Sequence, residues 1–260
     1  MHRMDTVGGA GYLNIVITQP NFLPWLGYLA QMASCDVFVC LDSVQFNRRE
    51  WQNRNKIVSR QGKVEYLTVN VSKGARHKPI LETKISPDYQ PSKLEARIAA
   101  YYSGCPRAQE GRKLCKPLYA EYHRPGASLG NANVDHLVHI GELMGLSTRI
   151  ERASVLESGL YWTTATERLL AICQSLGATT YLSSPGARTY MESELHKFAD
   201  AGIEVRWHEF HHIPYVDDGP FVSHLSLVDF LHHQPASELL PYVLPCSRFV
   251  AEIDLLNRVD

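Results

Sequence analysis

The sequence predicts an α/β fold: a mixed, mainly parallel sheet flanked by helices, opened by a Rossmann-like βαβ unit. Three observations predict it. Residues 13–18, LNIVIT, are β-rich and apolar and stop at Gln19-Pro20, a strand terminator. A helical stretch, WLGYLAQMASC, follows Pro24 with Trp25, Leu29 and Met32 at helical spacing, and residues 37–41 form a second, almost wholly apolar strand. Such strands suit a parallel sheet covered on both faces. The second half repeats this logic in TERLLAICQSLGA, TTYLSS, YMESELHKFADAG and IEVRWHEF, so both halves read as parts of one sheet.

The remaining elements follow in order. After Gly62, VEYLTVNV reads as a strand, SKGARHKP as a basic loop and ILETKIS as a short strand. LEARIAAYY is a helix, and LCKPLYAEYHR is a weaker one. ANVDHLVHIGELMGL is a helix capped by Asn131 or Asn133 and stopped at Gly145, and TERLLAICQSLGA stops at Gly177. Residues 1–14 read as a flexible arm and residues 15–260 as one domain, with the Pro/Gly-containing segment 103–130 as the place for an insertion or lid.

Apolar residues make up 45% and charged residues 20%, with a formal net charge of −1, which gives no bulk attraction for nucleic acid or an anionic membrane. The first fourteen residues lack the apolar core of a signal peptide, and no run approaches the roughly 18–20 apolar residues of a membrane span, so a cytoplasmic protein is expected. The six cysteines lie far apart without a CxxC pair, and HExxH is absent; neither a metal ion nor a cofactor is expected. Cys40 and Cys173 read as core thiols, and Cys35 beside Asp36 as a poor nucleophile.

Ligands of open α/β sheets bind beyond the carboxyl ends of the strands. Residues 19–25 and 42–55 follow the first two strands and should line one crevice. In the second of these, Asp42 ends an apolar strand, where a carboxylate can align a hydroxyl or amine. Arg48 and Arg54 can fork onto a carboxylate or phosphate, Trp51 can cover a sugar or apolar ring, and Asn53 and Asn55 can bind an amide or polyol, with Gln45 in the same cluster. The packing alternative is a polar hairpin rim in which one Arg braces a loop. Gln19, held between prolines, suits recognition at little entropic cost, with Asn21 and Trp25 beside it; otherwise Trp25 is core and Gln19 caps the next helix.

Ser183, Ser184 and Tyr190 lie in a strand-to-helix loop that can present N–H groups to an anion, or hold a simple serine cap. The GxxxxGK[ST] and GxGxxG loops are both absent. His208 follows a strand and is the candidate base, whereas the other histidines read as satisfied or solvated. Ser226 and Asp229, three apart, share a helical face, either as site residues or with Ser226 as a cap. Without GxSxG, a Ser226–His208–Asp229 triad is disfavoured.

The blocks QPNFLPWLGYL, CDVFVCLDSVQFNRREWQNRN, YLTVNV, GATTYLSSPGARTYM and FVSHLSLVDFL together resemble the WbqC-like protein family, in the right order from Ile15 to about Leu231. The final block is similar to that family's Ser-Ile-Ile-Asp ending, represented by Ser226 to Asp229. This chain departs from the pattern at Asn47 or Arg48, where a lysine is usual, at Asn70, where a proline is usual, and at His232, His233 and Gln234, which replace a Phe-Asn-x-Gly segment.

The resemblance implies an enzyme of polysaccharide or natural-product pathways. It would be an acyl- or aminoacyltransferase that moves glycine or another acyl group from an activated thioester onto an amino sugar or aminocyclitol amine. Gln19, Asp42, Gln45, Arg54 and Asn55 would then hold the matched positions. Amide formation needs an oriented amine, a proton acceptor and a stabilised oxyanion. Asp42 or His208 would supply the acceptor, and Arg54, Asn55 or backbone N–H groups near Ser184 would face the oxyanion. The expected partners are a small-molecule amine or amino sugar and an acyl carrier protein as donor, in a homodimer, with no nucleic acid and no membrane. Two alternatives stay open: an ATP-dependent nucleotidyltransferase or ligase, and a non-catalytic sugar-precursor binding protein.

Overall fold

Apolar side chains alternate in direction along the first two strands, and that alternation builds a sheet with a core on each face. Ile15 and Ile17 of β1 (Asn14–Thr18) and Val37 and Val39 of β2 (Val37–Cys40) join one buried cluster, with Leu169, Ile172, Cys173 and Phe198. Val16, Phe38 and Cys40 join the other, with Leu29, Met32, Leu137 and Ile140. Each strand is therefore apolar at consecutive positions, as a sheet covered on both faces requires. The computed structural model describes residues 12–59, 61–124, 126–216 and 221–256. The arm expected over 1–14 falls mostly outside these residues; Leu13 is already tied in, its N–H donating to Thr179 Oγ1 at 2.8 Å.

Between β1 and β2 lies α1 (Leu26–Ala33). A two-stranded antiparallel ribbon follows, β3 (Arg54–Val58) and β4 (Val64–Thr68). Then come α2 (Pro91–Tyr101), α3 (Ala108–Leu118), α4 (Leu129–Met144), β5 (Arg149–Arg152), α5 (Ala153–Leu156), α6 (Ala165–Leu176) and β6 (Thr180–Ser183). The chain continues through α7 (Arg188–Met191), α8 (Leu195–Asp200), β7 (Glu204–Phe210), α9 (Leu227–His233), α10 (Leu239–Val243), β8 (Ser247–Ala251) and α11 (Glu252–Leu256). The main sheet has the order β5-β2-β1-β6-β7-β8, parallel throughout except for the antiparallel edge strand β8. Numbered by their appearance in this sheet, its strands run 3-2-1-4-5-6, the doubly wound order. The α/β expectation holds.

Several local expectations do not. VEYLTVNV contributes β4 to the ribbon rather than to the main sheet; of β4 only Leu67 is buried, and its partner β3 begins inside what reads as a polar loop. ILETKIS forms a 3₁₀ turn at Ile80–Glu82 and then only isolated bridges at Ile85 and Lys84. The cap of α4 is Ser128, whose hydroxyl oxygen accepts from the Asn131 N–H at 3.2 Å; neither Asn131 nor Asn133 caps it. Gly145 and Gly177 do end α4 and α6, at φ 67° and 71°.

Segment 103–130 contributes side chains to the core. Cys115, Leu118, Tyr119, Tyr122 and Leu129 are all buried in the larger cluster. At Gly111 a Cβ would stand 2.7 Å from the His232 ring and 2.8 Å from the Leu231 carbonyl oxygen, so glycine is what lets α3 lie against α9. No helix among the described residues is long and apolar enough to cross a membrane.

Candidate functional site

From β1 the chain passes to β2 on one side, whereas β6, on the other side of β1, leads away to β7. The carboxyl ends of β1 and β6 thus flank the topological switch point, where doubly wound sheets form their crevice. A cavity of about 1050 Å³ opens there. Thr18 and Gln19 at the end of β1, Ser183 and Ser184 at the end of β6, and His208 to His211 on and after β7 line its floor. Trp25, Trp51, Tyr28, Tyr181, Tyr190 and Phe210 supply aromatic surface.

Trp25 owes its place to Gly27. The indole lies where a Cβ on residue 27 would sit, and it meets Phe210 edge-on at 5.3 Å between ring centroids and His224 at 4.6 Å. Gly27→Ala is therefore expected to swing the indole out of the wall. Aromatic contact of this kind is worth about 0.5–1.5 kcal/mol, so affinity for a ring stacked in the cavity should fall by up to about tenfold. Tryptophan fluorescence and ligand titration would check this; an unchanged emission spectrum would contradict it.

Beneath the wall runs a chain of hydrogen bonds. Ser184 Oγ donates to Gln31 Oε1 at 3.3 Å, and Gln31 Nε2 donates to His208 Nδ1 at 3.0 Å. His208 Nδ1 therefore accepts, the ring proton sits on Nε2, and Nε2–H donates to Ser247 Oγ at 2.9 Å. Burial depresses the His208 pKa to about 4, so the ring is neutral at pH 7. In this arrangement both nitrogens are engaged, and His208 orients Gln31 and, through it, the Ser184 hydroxyl. The charged lining side chains are Glu50, Glu209 and Arg248, and Arg248 forks onto Glu209 at 2.5 Å. The cavity thus offers aromatic, amide and hydroxyl surface with a carboxylate bias.

Of the residues singled out in the sequence, Gln19, Asn21, Trp25, Trp51, Ser183, Ser184, Tyr190 and His208 line this cavity. The others do not, and each has a different employment. Asp42 is fully buried; its Oδ1 accepts from the Ser154 N–H and its Oδ2 from the Ser154 hydroxyl, both at 3.0 Å, so it pins the start of α5. Arg54 lies over the Tyr66 ring at 4.2 Å in the ribbon. Gln45 Nε2 donates to the Arg76 carbonyl oxygen on the surface, and Arg48 is exposed.

Asn53 Nδ2 donates to the Val69 carbonyl oxygen, and Asn55 Nδ2 donates to those of Phe22 and Leu23, the latter at 2.7 Å. Asn55 thereby braces Leu23, which sits at φ 41°. Ser226 Oγ caps α9 by accepting from the Val228 N–H, and Asp229 is buried with Oδ2 accepting from the Tyr215 hydroxyl at 2.6 Å. Asp42 and Asn55, expected as proton acceptor and oxyanion donor, spend their hydrogen bonds inside the protein, and Arg54 lies in the ribbon outside the cavity.

Gln31 is among the lining residues that the sequence did not single out, as are Glu50, Glu209 and Arg248. It belongs to an otherwise apolar buried helix face, and a polar side chain on such a face is the signal that could have found it. Cys35 is buried and its thiol is pushed up by that burial, in keeping with its reading as a poor nucleophile.

Fold and cavity together define a doubly wound α/β protein whose crevice lies at the switch point of its sheet. The model of the WbqC-like protein family matches residues 19–239, and the chain belongs to that family. It is also similar to the uncharacterized protein Rv1507c of Mycobacterium tuberculosis (strain ATCC 25618 / H37Rv), with 33% identity over 198 residues that cover 75% of this chain and 82% of that one. No solved structure matches it.

Proposed function

We propose that the protein is an acyl- or aminoacyltransferase that forms an amide on an amine-bearing sugar or cyclitol bound in the crevice, with an activated thioester as donor. The observation that carries this reading is the make-up of the cavity wall: Trp25 and Trp51 offer faces for a ring, Gln19, Asn21 and Ser183 offer hydrogen bonds for hydroxyls, and Glu50 favours a cationic amine. An amine attacking a thioester requires orientation and a hydrogen-bond donor for the developing oxyanion more than it requires covalent machinery. The Ser184 hydroxyl, held by Gln31 and His208, is our candidate for positioning the reacting groups. A thioester or carrier-protein donor would place the reaction in the cytoplasm.

A second reading, an ATP-dependent ligase, draws on the doubly wound strand order, whose switch-point crevice suits nucleotides. Mass spectrometry of reactions offering aminoacyl thioesters, or ATP with free amino acids, to a panel of amino sugars and aminocyclitols separates the two. Product formed with thioester alone, and lowered about a hundredfold in Ser184→Ala, is the expected result. Product that requires ATP would replace the first reading with the second. Binding of an amino sugar without turnover under either condition would leave a sugar-precursor binding protein.

A further inference from the structure

The end of α9 and the turn between α2 and α3 bring together three side chains that do not line the crevice: Cys105, His233 and Asp229. His233 Nδ1 stands 2.9 Å from the backbone carbonyl oxygen of Asp229, a group that can only accept. Nδ1 must then carry the ring proton, which leaves Nε2 with a lone pair. That lone pair faces Cys105 Sγ at 3.4 Å. On the other side of the ring, the Asp229 carboxyl oxygen Oδ2 lies 3.9 Å from Nδ1. Asp229 is 1% exposed; its Oδ2 accepts from the Tyr215 hydroxyl, and the Tyr102 hydroxyl also faces the carboxyl. A buried carboxylate this close to an imidazole stabilises a cation on that ring.

The pairing is held in place from both helices. The Arg107 N–H donates to the His232 carbonyl oxygen at 3.1 Å, and Gly111 permits the close approach of α3 to α9. Cys105 is half-buried, whereas the other five cysteines are buried. Thiol, imidazole with a correctly oriented lone pair, and carboxyl form the nucleophile–base–orienter sequence of covalent catalysis.

We propose that Cys105 is a nucleophilic site, with His233 as its base and Asp229 as the orienting group, and that it takes acyl thioesters. In the exchange, Cys105 Sγ attacks the thioester carbonyl carbon while its proton passes to His233 Nε2. The donor carbon–sulfur bond then breaks, and the departing sulfur takes the proton back from His233. The products are an acyl group on Cys105 and one free donor thiol, with no change of oxidation state. This site stands independently of the crevice and of the amide-forming reaction proposed for it.

The test uses the full chain at pH 7 with iodoacetamide, followed by peptide mapping, and glutathione as reference thiol. Cys105 should alkylate at least tenfold faster than glutathione, and His233→Gln should remove that advantage while leaving the circular dichroism spectrum unchanged. A wild-type Cys105 no faster than glutathione overturns the proposal without recourse to any variant, as does equal labelling of wild type and His233→Gln. With the N-acetylcysteamine thioester of acetate as a second probe, an acetyl group on the Cys105 peptide, absent in Cys105→Ser, supports the thioester assignment. Fast alkylation without acetyl transfer overturns that assignment.

Discussion

Acidification from pH 7.5 to 5 should remove a large share of the protein's stability. His136, His208 and His232 are all buried, and each has its pKa depressed to about 4, with burial as the first cause. In the unfolded chain these rings titrate near 6.5. Above that pH both states hold them neutral, and the native state is at full advantage. As pH falls below about 6.5 the unfolded chain takes up protons that the native rings refuse, so stability is lost progressively until the native rings titrate near pH 4. By pH 5 the loss is about 2 kcal/mol for each ring, or about 6 kcal/mol together, against a typical total of about 5–15 kcal/mol.

Other groups bear on the window: His212, half-buried and also lowered to about 4, and His224, also lowered by burial, add to the loss. Asp229 has its pKa raised, chiefly by burial, so protonating it relieves a native-state cost and partly opposes the histidines. Glu167, lowered to about 2 by its Lys197 partner, acts only below the ordinary glutamate range. Urea midpoints measured from pH 7.5 to 4.5 would follow the loss, and His208→Gln should reduce its slope by about one proton. A midpoint that does not move between pH 7.5 and 5 would show that the three rings are solvated in the native state.

How much of this architecture the chain makes legible depends on where each residue sends its contacts. The β1–α1–β2 unit is readable because apolar runs covered on both faces have few alternative folds, and the position of the crevice follows from it. β5, with the sequence RIER, is not readable: its register comes from β2 beside it, and it carries almost no apolar signature. The polar run at 42–55 was legible as unusual but not as to purpose. Asp42, Asn53 and Asn55 are buried polar groups whose partners are backbone or serine groups of residues distant in sequence, and a sequence looks the same whether an amide faces a ligand or a carbonyl. Trp51, from the same run, does reach the cavity. Gln31 and His208 are 177 residues apart, and only the β1–β6–β7 topology brings them together.

Asn133→Leu should lower the free energy of unfolding by about 3–5 kcal/mol and weaken the crevice from a position that does not touch it. Asn133 is fully buried on α4. Its Nδ2 donates to the carbonyl oxygens of Pro20 and Gln52, each at 2.8 Å, and its Oδ1 accepts from the Tyr122 hydroxyl at 2.7 Å. Leucine of similar size would leave two carbonyls and a hydroxyl buried without partners, which costs more than the bonds themselves contribute. The two carbonyls belong to the two loops that form the crevice rim. Gln52 in turn donates from Nε2 to Gln19 Oε1 at 2.6 Å and accepts from the Asn47 N–H at 2.9 Å, so the orientation of Gln19 in the cavity traces back to Asn133. Tyr122→Phe, which removes one bond and leaves both loop carbonyls satisfied, should cost only about 1 kcal/mol and spare ligand binding. Equal urea midpoints and equal ligand affinities for Asn133→Leu and Tyr122→Phe would mean that the loops hold their shape without this amide, and would sink the argument.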